Sequence, residues 1–164
     1  MDDLVSVIIP YYKKRNFVKE TIISVISQSY DNLEILIIYD DTNLNDLEFL
    51  QEISKLDKRI KVINNNKRLG VGLSRNKGIE QSNGKYIAFI DADDLWYTEK
   101  IDKQVSFLIE KNLDFVFCDY LKKKQEKTKK IICNKNFLTY KDLLHSCDIG
   151  LSTVMISKSV VKKN

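Results

Sequence analysis

Three apolar runs rich in β-branched residues, at 4–10, 33–38 and 86–90, alternate with stretches whose apolar residues recur at helical spacing. That alternation commits a chain to helices layered on a mainly parallel sheet, with right-handed crossovers between the strands. The first run ends on the only proline, Pro10, which lacks the N–H a ladder needs, so the strand is expected to turn there. A helix is expected over about 16–28, with Asn16 as N-cap, Glu20 in the first turn and Phe17, Ile22, Val25 and Ile26 on its buried stripe. A helix over 45–56 turns Leu47, Phe49, Leu50 and Ile53 inward, and another over 99–111 does so with Ile101, Val105, Leu108 and Ile109. Between them, 60–63 reads as a short strand, 74–81 as a helix, and Asn83-Gly84 as the turn into 86–90. A strand at 113–119 follows, and beyond Leu121 the pattern thins to a short helix at 139–146 and a strand at 152–157.

With 164 residues, 43% hydrophobic and 30% charged, the chain suits one well-cored domain over 1–164 and not two. No apolar run approaches the roughly 18 residues that span a bilayer, and the N-terminus opens on Asp2 and Asp3 where a signal peptide would be basic. The expected compartment is the cytoplasm or the cytoplasmic face of a membrane. Cys118, Cys133 and Cys147 are far apart with no C-x-x-C pair, which argues against zinc and against a disulfide framework. Charge is uneven: residues 1–110 hold 15 Lys and Arg against 18 Asp and Glu, whereas 111–164 hold 12 against 5. Much of the basic excess lies in 122–130, which reads first as a solvated loop or hairpin turn and second as a peripheral contact with an anionic membrane. Nucleic acid is disfavoured, since no aromatics interleave with the lysines.

In a sheet of this kind ligands bind beyond the carboxyl ends of the strands. Three unusual features fall there: Pro10-Tyr11-Tyr12-Lys13, Asp40-Asp41, and Asp91-Ala92-Asp93-Asp94. Three crowded carboxylates repel one another and call for a cation, and their hard oxygens suit Mg²⁺ or Mn²⁺ carrying substrate phosphates. Tyr12 offers a flat face to a base, and Asp41 can accept a hydrogen bond from a base N–H. Each has a plain alternative, the tyrosines as packing residues and Asp40-Asp41 as turn formers. Arg75 opens a helix and can reach a diphosphate or make an ordinary salt bridge. Gly70-Val-Gly72 lacks a third glycine and no Gly-Lys-Ser/Thr follows, so neither a dinucleotide fingerprint nor a Walker loop is present. His145, the only histidine, has no readable partner, which leaves Ser-His-Asp chemistry unsupported.

Taken in order, Val5-Ser-Val-Ile-Ile-Pro-Tyr-Tyr12, the helix segment 21–30, Leu33-Glu-Ile-Leu-Ile-Ile-Tyr-Asp-Asp41, the segment 69–78 and 84–94 with its D-x-D resemble the family 2 glycosyltransferases. These are inverting enzymes of GT-A fold that use nucleotide-activated sugars. The resemblance implies a Rossmann-like α/β/α fold, a nucleotide-sugar-binding part over 1–120 and an incomplete acceptor-side part over 121–164. It implies that Pro10, Tyr12, Asp41, Arg75, Asp91 and Ala92 line the donor site, with Tyr12 against the base, Asp41 hydrogen-bonding it and Asp91 near the ribose or diphosphate. It also implies Asp93 as ligand to Mn²⁺ or Mg²⁺, which would neutralise charge on the departing nucleoside diphosphate. The donor would be a nucleotide sugar, UDP-linked by expectation, and the acceptor a glycan or lipid-linked glycan. The general base of such enzymes lies in a later acidic motif, after a segment similar to 149–158, and the chain reaches Asn164 without it. Asp142 and Asp148 match no such motif, so the base is unassigned and a truncated chain is expected. Lys13 stands where the family often has Asn, and Tyr39-Asp-Asp-Thr-Asn43 replaces a commoner Asp-Asp-Gly-Ser.

Three other classes compete. A binding-only protein would keep the donor site and transfer nothing. A sugar nucleotidyltransferase would need a glycine- and basic-rich early phosphate loop, and a phosphoacceptor receiver domain an acidic pair after its first strand; this chain has Pro-Tyr-Tyr-Lys there.

Overall fold

The structure, a computed structural model, describes residues 3–124, 127–132, 138, 139, 141, 142 and 149–161. Strands β1 (Val5–Tyr11), β2 (Leu33–Tyr39), β3 (Ile60–Asn64) and β4 (Tyr86–Phe89) alternate with helices α1 (Arg15–Ile26), α2 (Leu44–Ser54) and α3 (Val71–Gln81). Then come α4 (Lys100–Lys111), β5 (Phe115–Val116), β6 (Tyr120–Lys124), β7 (Lys127–Ile131), a 3₁₀ turn (Leu151–Thr153), β8 (Met155–Ser157) and the single turn α5 (Lys158–Val161). Six strands form one sheet in the order β3-β2-β1-β4-β8-β5, and β6 and β7 pair as a separate hairpin. β1 pairs in parallel with β2 and β4, and β2 with β3. The chain therefore steps outward from β1 to β3 and then crosses back to lay β4 on the other side of β1, a topological switch point at which ligands bind.

Both faces of the sheet are covered, which is why β1 and β2 are buried along their whole length. On one face Val7, Ile9, Ile35 and Ile37 pack against Val18, Ile22 and Val25 of α1, Leu50 of α2 and Ile101, Val105 and Leu108 of α4. On the other, Ile8, Leu36, Ile38 and Ile87 meet Ile79 of α3. Here α3 approaches so closely that a Cβ on Gly78 would lie 2.6 Å from Ile8 Cγ2. At the amino ends of the strands, Gly84 N donates to Ser6 Oγ at 2.8 Å, and a Cβ there would fall 2.6 Å from the Ser6 nitrogen, so the turn needs glycine.

The α/β, mainly parallel architecture agrees with expectation, and several local readings are corrected. α1 starts at Arg15 after Lys14, whose side chain makes no cap, so Asn16 is not the N-cap. Its buried stripe is Val18, Thr21, Ile22 and Val25; Phe17, a residue off that stripe, is 53% exposed. Ile109 likewise sits about 100° from the Ile101-Val105-Leu108 stripe and faces out, while the polar Gln104 is buried. α3 begins at Val71, three residues early, because Gly70 at φ 89 lets the chain enter the helix there.

Pro10 does not end β1; it pairs with Ile38 in register and the strand runs on to Tyr11. Ile8 O accepts from Ile90 N on the β4 side and Tyr11 O from Asp40 N on the β2 side, so the nitrogen of Pro10 faces β4. The β4 ladder stops at Ile8↔Phe89, and nothing asks Pro10 for an N–H. Only Phe115–Val116 of the expected strand 113–119 pairs, and β8 runs antiparallel to both β4 and β5. The basic run forms the β6–β7 hairpin. Cys133, His145, Cys147 and Asp148 lie outside the described residues, as does most of the expected helix 139–146, of which Thr139 N and Oγ1 each donate to Asp142 Oδ2 at 2.8 Å.

Candidate active site

The rim above β1, β2 and β4 is built from three short loops. Tyr11, the last residue of β1, points inward: its ring stacks on Tyr39 at 5.8 Å and its hydroxyl donates to Asp46 at 2.5 Å. Burial and the Asp46 carboxylate hold that phenol far above its usual range, so it is a structural hydroxyl. Tyr12 points the other way, onto the rim, with the Arg68 guanidinium 4.3 Å from its ring centroid and Lys13 Nζ at 5.2 Å. Arg68, on the loop between β3 and α3, is a site residue that motif reading misses. Its only sequence signal is a basic pair, Lys67-Arg68, before Leu69-Gly70.

At the end of β2 the two adjacent aspartates separate. Asp40 is 3% exposed and accepts from Leu69 N, Gly70 N and Asn65 Nδ2 at 2.7, 2.7 and 2.8 Å. Burial raises its carboxyl, but these donors and Ser74 outweigh burial and hold it below the ordinary carboxylate value. Asp40 thus ties the loop carrying Arg68 to the sheet. Asp41 stays on the rim, accepting from Lys13 N at 3.2 Å and Thr42 N at 2.7 Å. Beside it a cavity of about 290 Å³ is lined by Lys13, Arg15, Phe17 and Asp46 among others.

At the end of β4, Ala92 is buried and the carboxylates fan outward. Asp91 pairs with Arg75 at 2.5 Å and Asp93 with Lys14 at 2.6 Å. Asp94 accepts from the Ser152 hydroxyl at 2.5 Å, and Ser152 Oγ in turn accepts from Asp91 N at 3.0 Å. Desolvation raises the Asp94 carboxyl, the Ser152 hydroxyl opposes that rise, and the charges of Asp91 and Asp93 add to it. The loop is backed by Trp96, whose Nε1 donates to Ser152 O at 2.7 Å, and by Lys100, whose ammonium lies 4.0 Å over the Trp96 ring. Burial pulls Lys100 down to about 8.

Adjacent residues of one loop therefore reach both sides of the rim: the Lys13 backbone touches Asp41 and the Lys14 ammonium touches Asp93. Arg75 reaches Asp91 from α3, and its buried Nε has no partner of its own among the described residues. Among the described residues no three His, Cys, Asp or Glu side chains converge as a ready-made metal cage. Mg²⁺ and Mn²⁺ are commonly bound through one or two carboxylates plus substrate phosphates, and Asp93 with Asp91 is a hard-oxygen pair of that kind. The donor set fits such an ion, with Lys14 and Arg75 serving as the facing cations in the structure.

The sequence profile described as Glycosyl transferase family 2 matches residues 6–163. The chain belongs to that family. It is 38% identical over 157 residues to the putative teichuronic acid biosynthesis glycosyltransferase TuaG of Bacillus subtilis (strain 168), covering 94% of this chain and 62% of TuaG. It is 33% identical over 171 residues to WfgD of Escherichia coli, a UDP-Glc:alpha-D-GlcNAc-diphosphoundecaprenol beta-1,3-glucosyltransferase, covering 98% of this chain and 63% of WfgD. The chain thus spans less than two thirds of the length of these curated relatives. The crystal structure of S. aureus TarS 1-349 in complex with UDP-GlcNAc superposes with a TM-score of 0.82 at 18% identity, over 98% of this chain and 47% of that one. At that identity the match shows the fold, a GT-A glycosyltransferase fold.

Proposed function

We propose that the chain is the donor-binding part of a glycosyltransferase that moves a sugar from a nucleotide sugar, a UDP-sugar, to a glycan or lipid-linked acceptor. The observation that carries this is the bridging of Asp41, Tyr12 and Arg68 to Asp93 through the Lys13-Lys14 loop, with Asp91 held beside it by Arg75, at the switch point of a family 2 sheet. Tyr12 and Arg68 offer the base a stacking face and a cation. Asp41 has acceptor capacity beyond its two backbone donors for a base N–H. Arg75 and Lys14 supply positive charge for the diphosphate, and Asp93, with Asp91 beside it, would hold Mn²⁺ or Mg²⁺. The ion would supply Lewis-acid neutralisation of the leaving diphosphate. The donor named for WfgD and the ligand of TarS, both UDP-sugars, support a UDP-sugar here.

WfgD's acceptor is named as lipid-linked, which supports an acceptor presented at a membrane surface. No helix among the described residues is long and apolar enough to cross a bilayer. The exposed β6–β7 hairpin sets Lys122 directly opposite Lys129, a repulsive cross-strand pair that an anionic surface would relieve, and we read it as a peripheral contact with the cytoplasmic face of a membrane.

Titration calorimetry with UDP tests the site. We expect binding that strengthens when Mn²⁺ is added, and at least about a tenfold loss of Mn²⁺-dependent affinity in Asp93→Asn, worth about 1.4 kcal/mol. Equal binding by the two proteins removes Asp93 from the site, and no binding by either removes the donor reading.

A further inference from the structure

The 3₁₀ turn Leu151–Thr153 lies far from the acidic loop in sequence, yet it touches that loop and its backing at several points. Ser152 Oγ accepts from Asp91 N at 3.0 Å and donates to Asp94 Oδ2 at 2.5 Å, so one hydroxyl closes the 91–94 turn from both ends. Within the turn, Asp94 N also donates to Asp91 O at 3.0 Å. The Ser152 carbonyl accepts from Trp96 Nε1 at 2.7 Å, and the Thr153 carbonyl from Gln104 Nε2 at 2.8 Å. Thr153 Oγ1 in turn donates to Gly150 O at 2.6 Å, which stiffens the turn itself. Immediately after it β8 pairs with β4, Ala88 opposite Met155 and Ile87 opposite Ile156, so the turn is fastened to the strand that delivers the acidic loop.

From this we infer that Ser152 is a positioning residue for the metal side of the donor site, an inference that rests on the function proposed above. Its chemistry is a division of labour among three carboxylates. Left alone, Asp91, Asp93 and Asp94 would compete for any cation and repel one another. By donating to Asp94, Ser152 engages the third carboxylate within the protein and turns it toward the 151–153 turn. Asp91 and Asp93 are left facing Arg75 and Lys14 across the cleft. By accepting from Asp91 N, the same hydroxyl fixes the backbone from which Asp91 and Asp93 project. A hydroxyl is required in both roles, since it must accept and donate at once. The segment 149–157 then has a role in donor binding through the Ser152 hydroxyl.

The test is calorimetric titration of UDP, with and without Mn²⁺, into the wild-type chain, Ser152→Ala, Ser152→Thr, Asp94→Asn and the Ser152→Ala/Asp94→Asn double variant. Ser152→Ala is expected to lose about tenfold in Mn²⁺-dependent affinity while metal-free UDP binding changes less than about twofold. Ser152→Thr, which keeps the hydroxyl, should stay within about twofold of wild type, and the double variant should bind no worse than the weaker single variant. A merely structural role would lower both kinds of binding together, and that outcome overturns the inference, as does unchanged binding by a folded Ser152→Ala. No UDP binding by the wild-type chain removes the donor-site reading and this inference with it; UDP binding that ignores Mn²⁺, or metal-dependent wild-type binding with an indifferent Ser152→Ala, removes the inference and leaves the donor site.

Discussion

Asp40 and Asp41 are neighbours in sequence with opposite tasks. Asp40 spends its lone pairs on two backbone N–H groups and the Asn65 amide, and so fastens the 65–70 loop to β2. An asparagine there keeps the shape but has a single acceptor oxygen and turns an N–H₂ toward donors. Asp40→Asn should therefore cost about 2 kcal/mol, as expected when a buried donor loses its partner, while Asp41→Asn should stay within about 0.5 kcal/mol of wild type. Urea unfolding of the two variants checks this; equal stabilities would refute the assignment. The sequence shows the acidic pair at a strand end but not which member is spent, because the deciding donors come from residues about 30 positions later. Arg68 and Ser152 were illegible for the same reason. A lone Arg or Ser has no pattern until the fold brings Tyr12 or Asp94 to it.

Elements are most legible in the sequence where burial on both sides leaves a continuous apolar run. β1, β2 and β4 are such strands, and the loops after them hold every residue read as donor-binding or metal-ligating, apart from Pro10 within β1 and Arg75 on α3. The pattern is silent where neighbours decide: β5 is short because only two of its residues meet β8, and the three-residue β8 carries no mark of its antiparallel pairing with β4 and β5. The hairpin β6–β7 is the element with the least evident internal reason to form, since its strands are exposed and Lys122 faces Lys129. If an anionic bilayer supplies counter-charge to this pair, the wild-type chain should co-sediment with phosphatidylglycerol vesicles, leave them at high salt, and ignore phosphatidylcholine vesicles. Reversing both charges in Lys122→Glu/Lys129→Glu keeps the cross-strand repulsion and inverts its sign. At roughly 1 kcal/mol of attraction per lysine, vesicle binding should fall at least about thirtyfold. Equal sedimentation of variant and wild type would dismiss the hairpin as the contact.

Across the whole molecule, β2 is held by a buried carboxylate at each end. At the amino end Glu34 accepts from Ser6 Oγ at 2.6 Å and from Asn83 N and Nδ2, and lies 3.5 Å from Lys61 Nζ, joining β1, β2, β3 and the turn into β4. At the carboxyl end Asp40 joins β2 to the loop before α3. Burial alone would raise both groups, yet in each the donated hydrogen bonds win and the folded carboxyl lies below its ordinary value. Between the depressed folded value and the ordinary unfolded one, the unfolded chain binds more protons, so acid favours unfolding. Stability from these groups is fully present at neutral pH, begins to fall below about pH 5 and is lost as pH drops through the folded values. Because the two groups grip opposite ends of one central strand, their loss should appear as one cooperative transition. Far-ultraviolet circular dichroism and the fluorescence of Trp96, the only tryptophan, should report the same urea midpoint at each pH from 7 to 3. Glu34→Gln should lower the midpoint at pH 7 and flatten its fall below pH 5, since the variant has one fewer proton to gain on unfolding. An acid slope as steep in Glu34→Gln as in wild type would show that other carboxylates carry the acid sensitivity.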